Sequence, residues 1–131
     1  RATDLCAMLN SFESLPEFLC LTETWLSNSD ILNVPNYKLI THNRNSMGGE
    51  SAIACRNDIK FISFKTDALE RLCLKYNINC CSIRFLINNT YIILVSIYNP
   101  LNNTSCDKHG WEEILTSFDN YNNVIITGDF N

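Results

Sequence analysis

Lysine and arginine are clustered nowhere between Arg1 and Asn131, and the formal charge is −4, from 10 Lys+Arg against 14 Asp+Glu. A surface that holds a polyanion by charge alone shows clustered base, so tight binding of that kind is not expected. No apolar run approaches the roughly 20 residues that a membrane span requires, and no signal-peptide pattern opens the chain. No membrane partner is therefore expected. Cys-x-x-Cys is absent, and His42 and His109 lack the neighbours that a zinc site would need. Neither Gly-x-Gly-x-x-Gly nor Gly-Lys-Ser/Thr occurs, so Gly48-Gly49 reads as a hairpin connection and not as a phosphate cradle. There is also no repeat, linker or internal boundary, which leaves residues 1–131 as one unit.

A chain of 131 residues that is 46% hydrophobic can bury a sizeable core. The seven cysteines are odd in number and include the adjacent pair Cys80-Cys81, while Cys6, Cys20, Cys55 and Cys73 lie in apolar surroundings, where a thiol behaves as a small hydrophobe. A reducing compartment follows as the expectation, hence an intracellular protein, nuclear or cytoplasmic. The glycosylation patterns Asn88-Asn89-Thr90 and Asn102-Asn103-Thr104 are read as chance matches in an Asn-rich chain.

Apolar periodicity predicts the elements. Leu5, Met8, Leu9 and Phe12 mark one face of a helix over 2–12, closed by Pro16. Strands are expected at 18–22 (buried on both sides), 37–42, 51–56, 60–64, 72–76, 79–85, 91–97 and 124–127. Asp30 to Pro35 reads as a helical turn or loop, Asn43 to Gly49 as a polar loop and Asn88-Asn89 as a tight hairpin turn. In the strand over 37–42, Tyr37, Leu39 and Thr41 share one face, and Lys38, Ile40 and His42 the other. A second helix over 111–121 is expected, with Trp111, Ile114, Leu115 and Phe118 on one face and Asp107 as its cap. Several strands with a helix early and another late indicate an α/β (α+β) fold.

The chain is organised around its last stretch, Asn123 to Asn131. A β-branched run, read as a buried strand, leads into Gly128, Asp129 and Asn131, and an extended backbone points the last two the same way. A carboxylate and a carboxamide delivered together can orient water or a metal and donate to a substrate oxygen. The same residues serve equally well as a turn. Two more apolar strands end in polar groups, Glu23 within Leu19 to Leu26 and Tyr98 within Ile92 to Pro100. Singly, each of these two is as compatible with a structural role as with a functional one.

The ordered set strand-x-Glu-Thr-Trp, strand-Tyr-x-Pro and strand-Gly-Asp-Phe-Asn resembles the endonuclease/exonuclease/phosphatase superfamily over nearly the whole chain. The closest likeness is to the endonuclease domain of non-LTR (LINE-like) retrotransposons, where a Gly-Gly segment follows the Glu-Thr-Trp region as Met47-Gly48-Gly49-Glu50 does here. This implies a four-layered α/β sandwich of two mixed β-sheets flanked by helices. It also implies that 1–131 is a partial domain, because the family's Asn ahead of the first helix and its distal Asp and His have no counterpart here. A piece lacking them is expected to be inactive alone. Glu50 stands where the family usually has a third glycine.

Phosphodiester hydrolysis needs an activated water, a neutraliser for the charge on the phosphoryl oxygens and support for the leaving oxygen. By resemblance, Glu23 is the metal ligand, for Mg²⁺ with Mn²⁺ as a substitute, since an oxygen-only donor set suits a hard cation. Asp129 orients and deprotonates the water, and Asn131 and the Tyr98 hydroxyl donate to phosphate oxygens. Asn102 is an additional substrate contact, one place later after Pro100 than the pattern puts it. Trp25 and Leu26 are expected to pack behind Glu23. The implied activity is nicking of DNA for retrotransposition, with a reverse transcriptase domain in the same parent polypeptide. Phosphatase or lipid-phosphodiesterase activity, or a non-catalytic interaction module, are the alternatives.

Overall fold

A computed structural model of the chain describes residues 2–24, 33–41 and 50–131. Helix α1 spans Ala2–Leu9. Strands β1 (Phe18–Leu21), β2 (Tyr37–Thr41) and β3 (Ala52–Arg56) form a sheet in the order β1-β3-β2, antiparallel throughout. Strands β4 (Phe61–Ser63), β5 (Asn79–Ile87), β6 (Thr90–Tyr98) and β7 (Val124–Asp129) form a second sheet in the order β4-β5-β6-β7. Here β6 and β7 run parallel and the other pairs antiparallel, so the mixing expected of both sheets is found, among the described residues, in this one. Helices α2 (Asp67–Lys75) and α3 (Lys108–Thr116) complete the order.

Side-chain alternation sorts these elements into layers. Odd positions of β5 (Cys81, Ile83, Phe85) and even positions of β6 (Leu94) meet Ile53, Phe18, Cys20 and Ile40 of the first sheet. The opposite face, with Cys80, Ile93, Val95 and Ile97, packs against Leu69, Cys73 and Ile114 of the two later helices. On the far side of the first sheet, Tyr37, Leu39 and Ala54 meet Leu5 and Leu9 of α1. The result is a four-layered α/β sandwich, helix on sheet on sheet on helices. The expected facing of Tyr37 and Leu39 against Ile40 is observed.

Several expected elements differ. The strand expected over 72–76 is the end of α2: Thr66 caps it, its hydroxyl accepting from the Leu69 N–H at 3.1 Å. Leu69, Leu72, Cys73 and Tyr76 then recur at helical spacing against the core. The first helix stops at Leu9, so only Leu5 and Leu9 of its expected face are covered, and Met8 and Phe12 are exposed. β1 is half-buried and not buried on both sides, because among the described residues it is an edge strand. β7 is likewise an edge and leaves Ile125 exposed, so it is not the buried strand expected. The helix expected over 111–121 is α3, which stops at Thr116; Leu115 is exposed, and Phe118 packs on the core from the turn that follows. The Asp107 cap stands, with its carboxylate accepting the Gly110 N–H at 2.9 Å. The hairpin turn stands too: Asn88 and Asn89 have φ of 47° and 62°, as a tight two-residue connection requires. Trp25, Leu26, residues 30–32, His42 and the 43–49 loop with Gly48-Gly49 lie outside the described residues.

Polar ties join the layers. Glu113 of α3 accepts from Lys75 Nζ at 2.8 Å and from the Tyr76 hydroxyl at 2.7 Å, and these bonds hold its carboxyl below the ordinary carboxylate range. The Tyr37 hydroxyl donates to Pro16 O at 2.6 Å, fixing the exit from α1. All seven cysteines are free; burial pushes the Cys20 thiol up to about 11 and that of Cys81 up to about 12. No helix among the described residues is long and apolar enough to cross a membrane.

Candidate active site at the ends of the sheets

The parallel pairing of β6 and β7 sets Tyr98 directly opposite Asp129. Gly128 makes that register possible. It lies over Ile97 with a φ of 141°, and a Cβ there would stand 1.8 Å from Ile97 O. Only glycine lets the two backbones approach this closely. The glycine of Gly-Asp-Phe-Asn thus places the acid that follows it.

Tyr98 is 5% exposed, and its hydroxyl donates to Glu23 Oε1 at 3.1 Å. This bond joins residues from different sheets, for Glu23 follows the end of β1, with a φ of 54°. The next residue anchors it: Thr24 N–H donates to Glu50 O at 3.2 Å, immediately ahead of β3. Burial raises the Tyr98 phenol above its ordinary range, as do the hydrogen bond to Glu23 and the charges of Glu23 and Asp129. The phenol therefore remains a donor at neutral pH.

Asp129 and Asn131 are brought together by a turn and not by strand alternation. The chain leaves β7 after Asp129, Asn131 takes a φ of 20°, and its N–H donates to Asp129 Oδ1 at 3.2 Å. The turn expected at these residues is therefore present, closed by a main-chain N–H on the Asp129 carboxylate. Phe130 between them packs on Trp111 of α3, with ring centroids 5.4 Å apart.

Asn99 and Asn103 were not singled out by the sequence, yet they organise this end of the sheet. Asn99 is 3% exposed and donates through Nδ2 to the main-chain oxygens of Phe130 and Asn131, each at 3.0 Å. Asn131 Nδ2 returns a bond to Asn99 O at 2.8 Å, and Asn99 N–H donates to Asp129 O at 2.8 Å. Asn103 Nδ2 closes the network on Asn99 Oδ1 at 2.7 Å and on Tyr76 O at 2.8 Å. Asn102, the expected contact, is instead exposed in the turn with φ 65°, and among the described residues its side chain makes no hydrogen bond. Glu50, 4% exposed, is a further carboxylate that the sequence did not mark as part of this region.

Glu23, Tyr98, Asp129 and Asn131 therefore stand at one end of the paired sheets. His109 does not join them: it is exposed on α3, where its ring faces Glu112 at 3.9 Å and Glu113 at 3.2 Å. The set offers carboxylate oxygens, a protonated phenol and an amide with one N–H still available. Among the described residues no cluster of three His, Cys, Asp or Glu forms a ready-made metal cage. No protein-family model matches the chain, and no curated protein matches it either.

Proposed function

We propose that this chain carries the site of a divalent-metal-dependent phosphodiester hydrolase, in a polypeptide that nicks DNA for retrotransposition and also holds a reverse transcriptase domain. The observation that carries the reading is the bond between Tyr98 and Glu23 at 3.1 Å, made across two sheets, with Asp129 in register beside Tyr98. These are the residues on which the likeness to the endonuclease/exonuclease/phosphatase superfamily rests. Their donor set suits Mg²⁺, or Mn²⁺ in its place: Glu23 keeps one carboxylate oxygen beyond the Tyr98 bond and Asp129 keeps one beyond the Asn131 bond. Mg²⁺ retains several of its waters, so two carboxylates can hold it. A cation held there would supply positive charge to the phosphoryl oxygens.

The chain's own groups do the rest. Asp129 accepts a proton from the attacking water and orients it. Tyr98, kept protonated by its surroundings, turns its single O–H from Glu23 to a phosphate oxygen, and the second N–H of Asn131 donates to another. Asn99 holds the Asn131 backbone in place for that task. The test is supercoiled plasmid with Mg²⁺ and the longest natural polypeptide that carries the chain. Nicking that is lost in Asp129→Ala and Asn131→Ala supports the reading. A protein that leaves plasmid intact but releases phosphate from a small phosphoester is the phosphatase or lipid phosphodiesterase of the same chemistry. A non-catalytic interaction module is favoured by the net charge of −4 and by the remoteness of His109; it predicts neither activity.

A further inference from the structure

The end of the second sheet opposite these residues carries a cleft of about 390 Å³, between the β5–β6 hairpin and the segment that follows α3. It lies at the start of β6, where Tyr98 is at the finish, roughly 23 Å away along an extended strand. Arg84, paired with Ile93 in the sheet register, enters it from the floor. Thr90, Tyr91, Asn89, Asn122 and Asn123 contribute to its walls, and among the described residues no acidic side chain does. In a chain with an excess of four acids, an arginine in an acid-free cleft is a selective feature.

The partners of Arg84 account for only part of its chemistry. Its guanidinium lies over the Tyr91 ring, 4.8 Å from the centroid. That contact satisfies no N–H of the ion by a hydrogen bond. Arg84 Nε is buried and has no hydrogen-bond partner, and among the described residues no carboxylate pairs with the guanidinium. Nε is closed off from solvent, so the terminal guanidinium nitrogens are the donors left for a ligand in the cleft. Asn123 Nδ2 donates to the Tyr91 main-chain carbonyl at 3.3 Å and ties the hairpin to the segment that follows α3.

We propose that this cleft is a second, non-catalytic site that takes a phosphate group. The two terminal guanidinium nitrogens of Arg84 grip two of its oxygens, and the amides of Asn89 and Asn122 and the hydroxyl of Thr90 offer further donors. The phosphate is either free inorganic phosphate or part of a polynucleotide backbone, and both present the same oxyanion. The inference is independent of the proposed hydrolase, because none of its residues belongs to the other end of the sheet.

Arginine Nε–Hε signals of ¹⁵N-labelled protein, followed during titration with inorganic phosphate at constant ionic strength, give the test. The Arg84 signal is expected to move and saturate, and Arg84→Lys, which keeps the charge but loses the fork, to bind roughly tenfold more weakly. Asn122→Ala, at an exposed position outside the core, provides a second variant that does not threaten the fold and is expected to weaken binding. A short single-stranded oligonucleotide forms the other arm: saturation of the same signal at lower concentration identifies a polynucleotide, and saturation by inorganic phosphate alone identifies the free ion. Either supports the site. No movement at tens of millimolar phosphate with either ligand, equal movement with chloride, or unchanged affinity in Arg84→Lys would overturn it and leave water as the occupant.

Discussion

Replacing Gly128 by alanine separates an account based on backbone approach from one based on exposure. Gly128 is solvent-exposed, and substitutions at exposed positions ordinarily change stability by less than about 0.5 kcal/mol. Here the new methyl would stand 1.8 Å from Ile97 O and 2.7 Å from Ile97 C. Carbon and oxygen need roughly 3.3 Å, so β7 must retreat from β6 by about 1.5 Å. Ile97 O belongs to the backbone of a central strand and cannot turn away. A φ of 141° in a non-glycine residue adds about 1–3 kcal/mol. The ladder bonds stretched on either side of the clash add about 1 kcal/mol each. The sum is a loss of about 3–5 kcal/mol, read by guanidinium unfolding. Faster hydrogen exchange in β7, and loss of the Asp129 to Tyr98 register, accompany it. A change below about 1 kcal/mol, with β7 exchange unaltered, would refute the close-approach argument.

Asn99→Ala removes the side-chain donor to the main-chain oxygens of Phe130 and Asn131 and one of the acceptors of the Asn103 amide, and is expected to cost about 2–3 kcal/mol in the same assay. Ser96 Oγ is buried without a hydrogen bond, so Ser96→Ala should be neutral or stabilise by about 1 kcal/mol; a clear loss would reveal a bound water. The raised Tyr98 phenol favours the protonated folded state, so its contribution is fully present below the ordinary tyrosine value of 10.0 and is lost as pH rises through the folded value. The stability of the protein relative to Tyr98→Phe should therefore fall only in that alkaline range, as unfolding measured against pH will show. Cys20 and Cys81, pushed up to about 11 and about 12, should resist iodoacetamide at pH 8 until the protein unfolds, which mass spectrometry of alkylated peptides reads directly.

The sheet strands were legible where periodicity and punctuation agreed. Asn88-Asn89 between two apolar runs identified the β5–β6 hairpin, whereas β7 continues two residues past its expected end at Thr127, because Gly128 and Asp129 still pair with Ile97 and Tyr98. Helix α2 was obscured because Leu72 to Tyr76 is a short, mostly apolar run, in which strand and helix cannot be told apart without the cap at Thr66. Glu23, Tyr98, Asp129 and Asn131 were visible as polar groups closing apolar runs. Their approach was not, since it depends on which strands pair and in which direction. Asn99 and Asn103 were hidden among many asparagines: nothing local distinguishes an amide that binds main-chain oxygens from one such as Asn102 that faces water. Glu50 was hidden for a related reason, because its burial comes from the pairing of β3 with β1 and β2.

Paramagnetic broadening by Mn²⁺ is the most direct test of whether Glu23 and Asp129 form one metal site. In ¹H–¹⁵N spectra the account predicts that substoichiometric Mn²⁺ broadens the signals of Glu23, Tyr98, Asp129 and Asn131 first and that excess Mg²⁺ restores them. The combined substitution Glu23→Gln and Asp129→Asn should abolish the effect while the remaining spectrum is retained. Broadening centred elsewhere, or none at millimolar Mn²⁺, would contradict it.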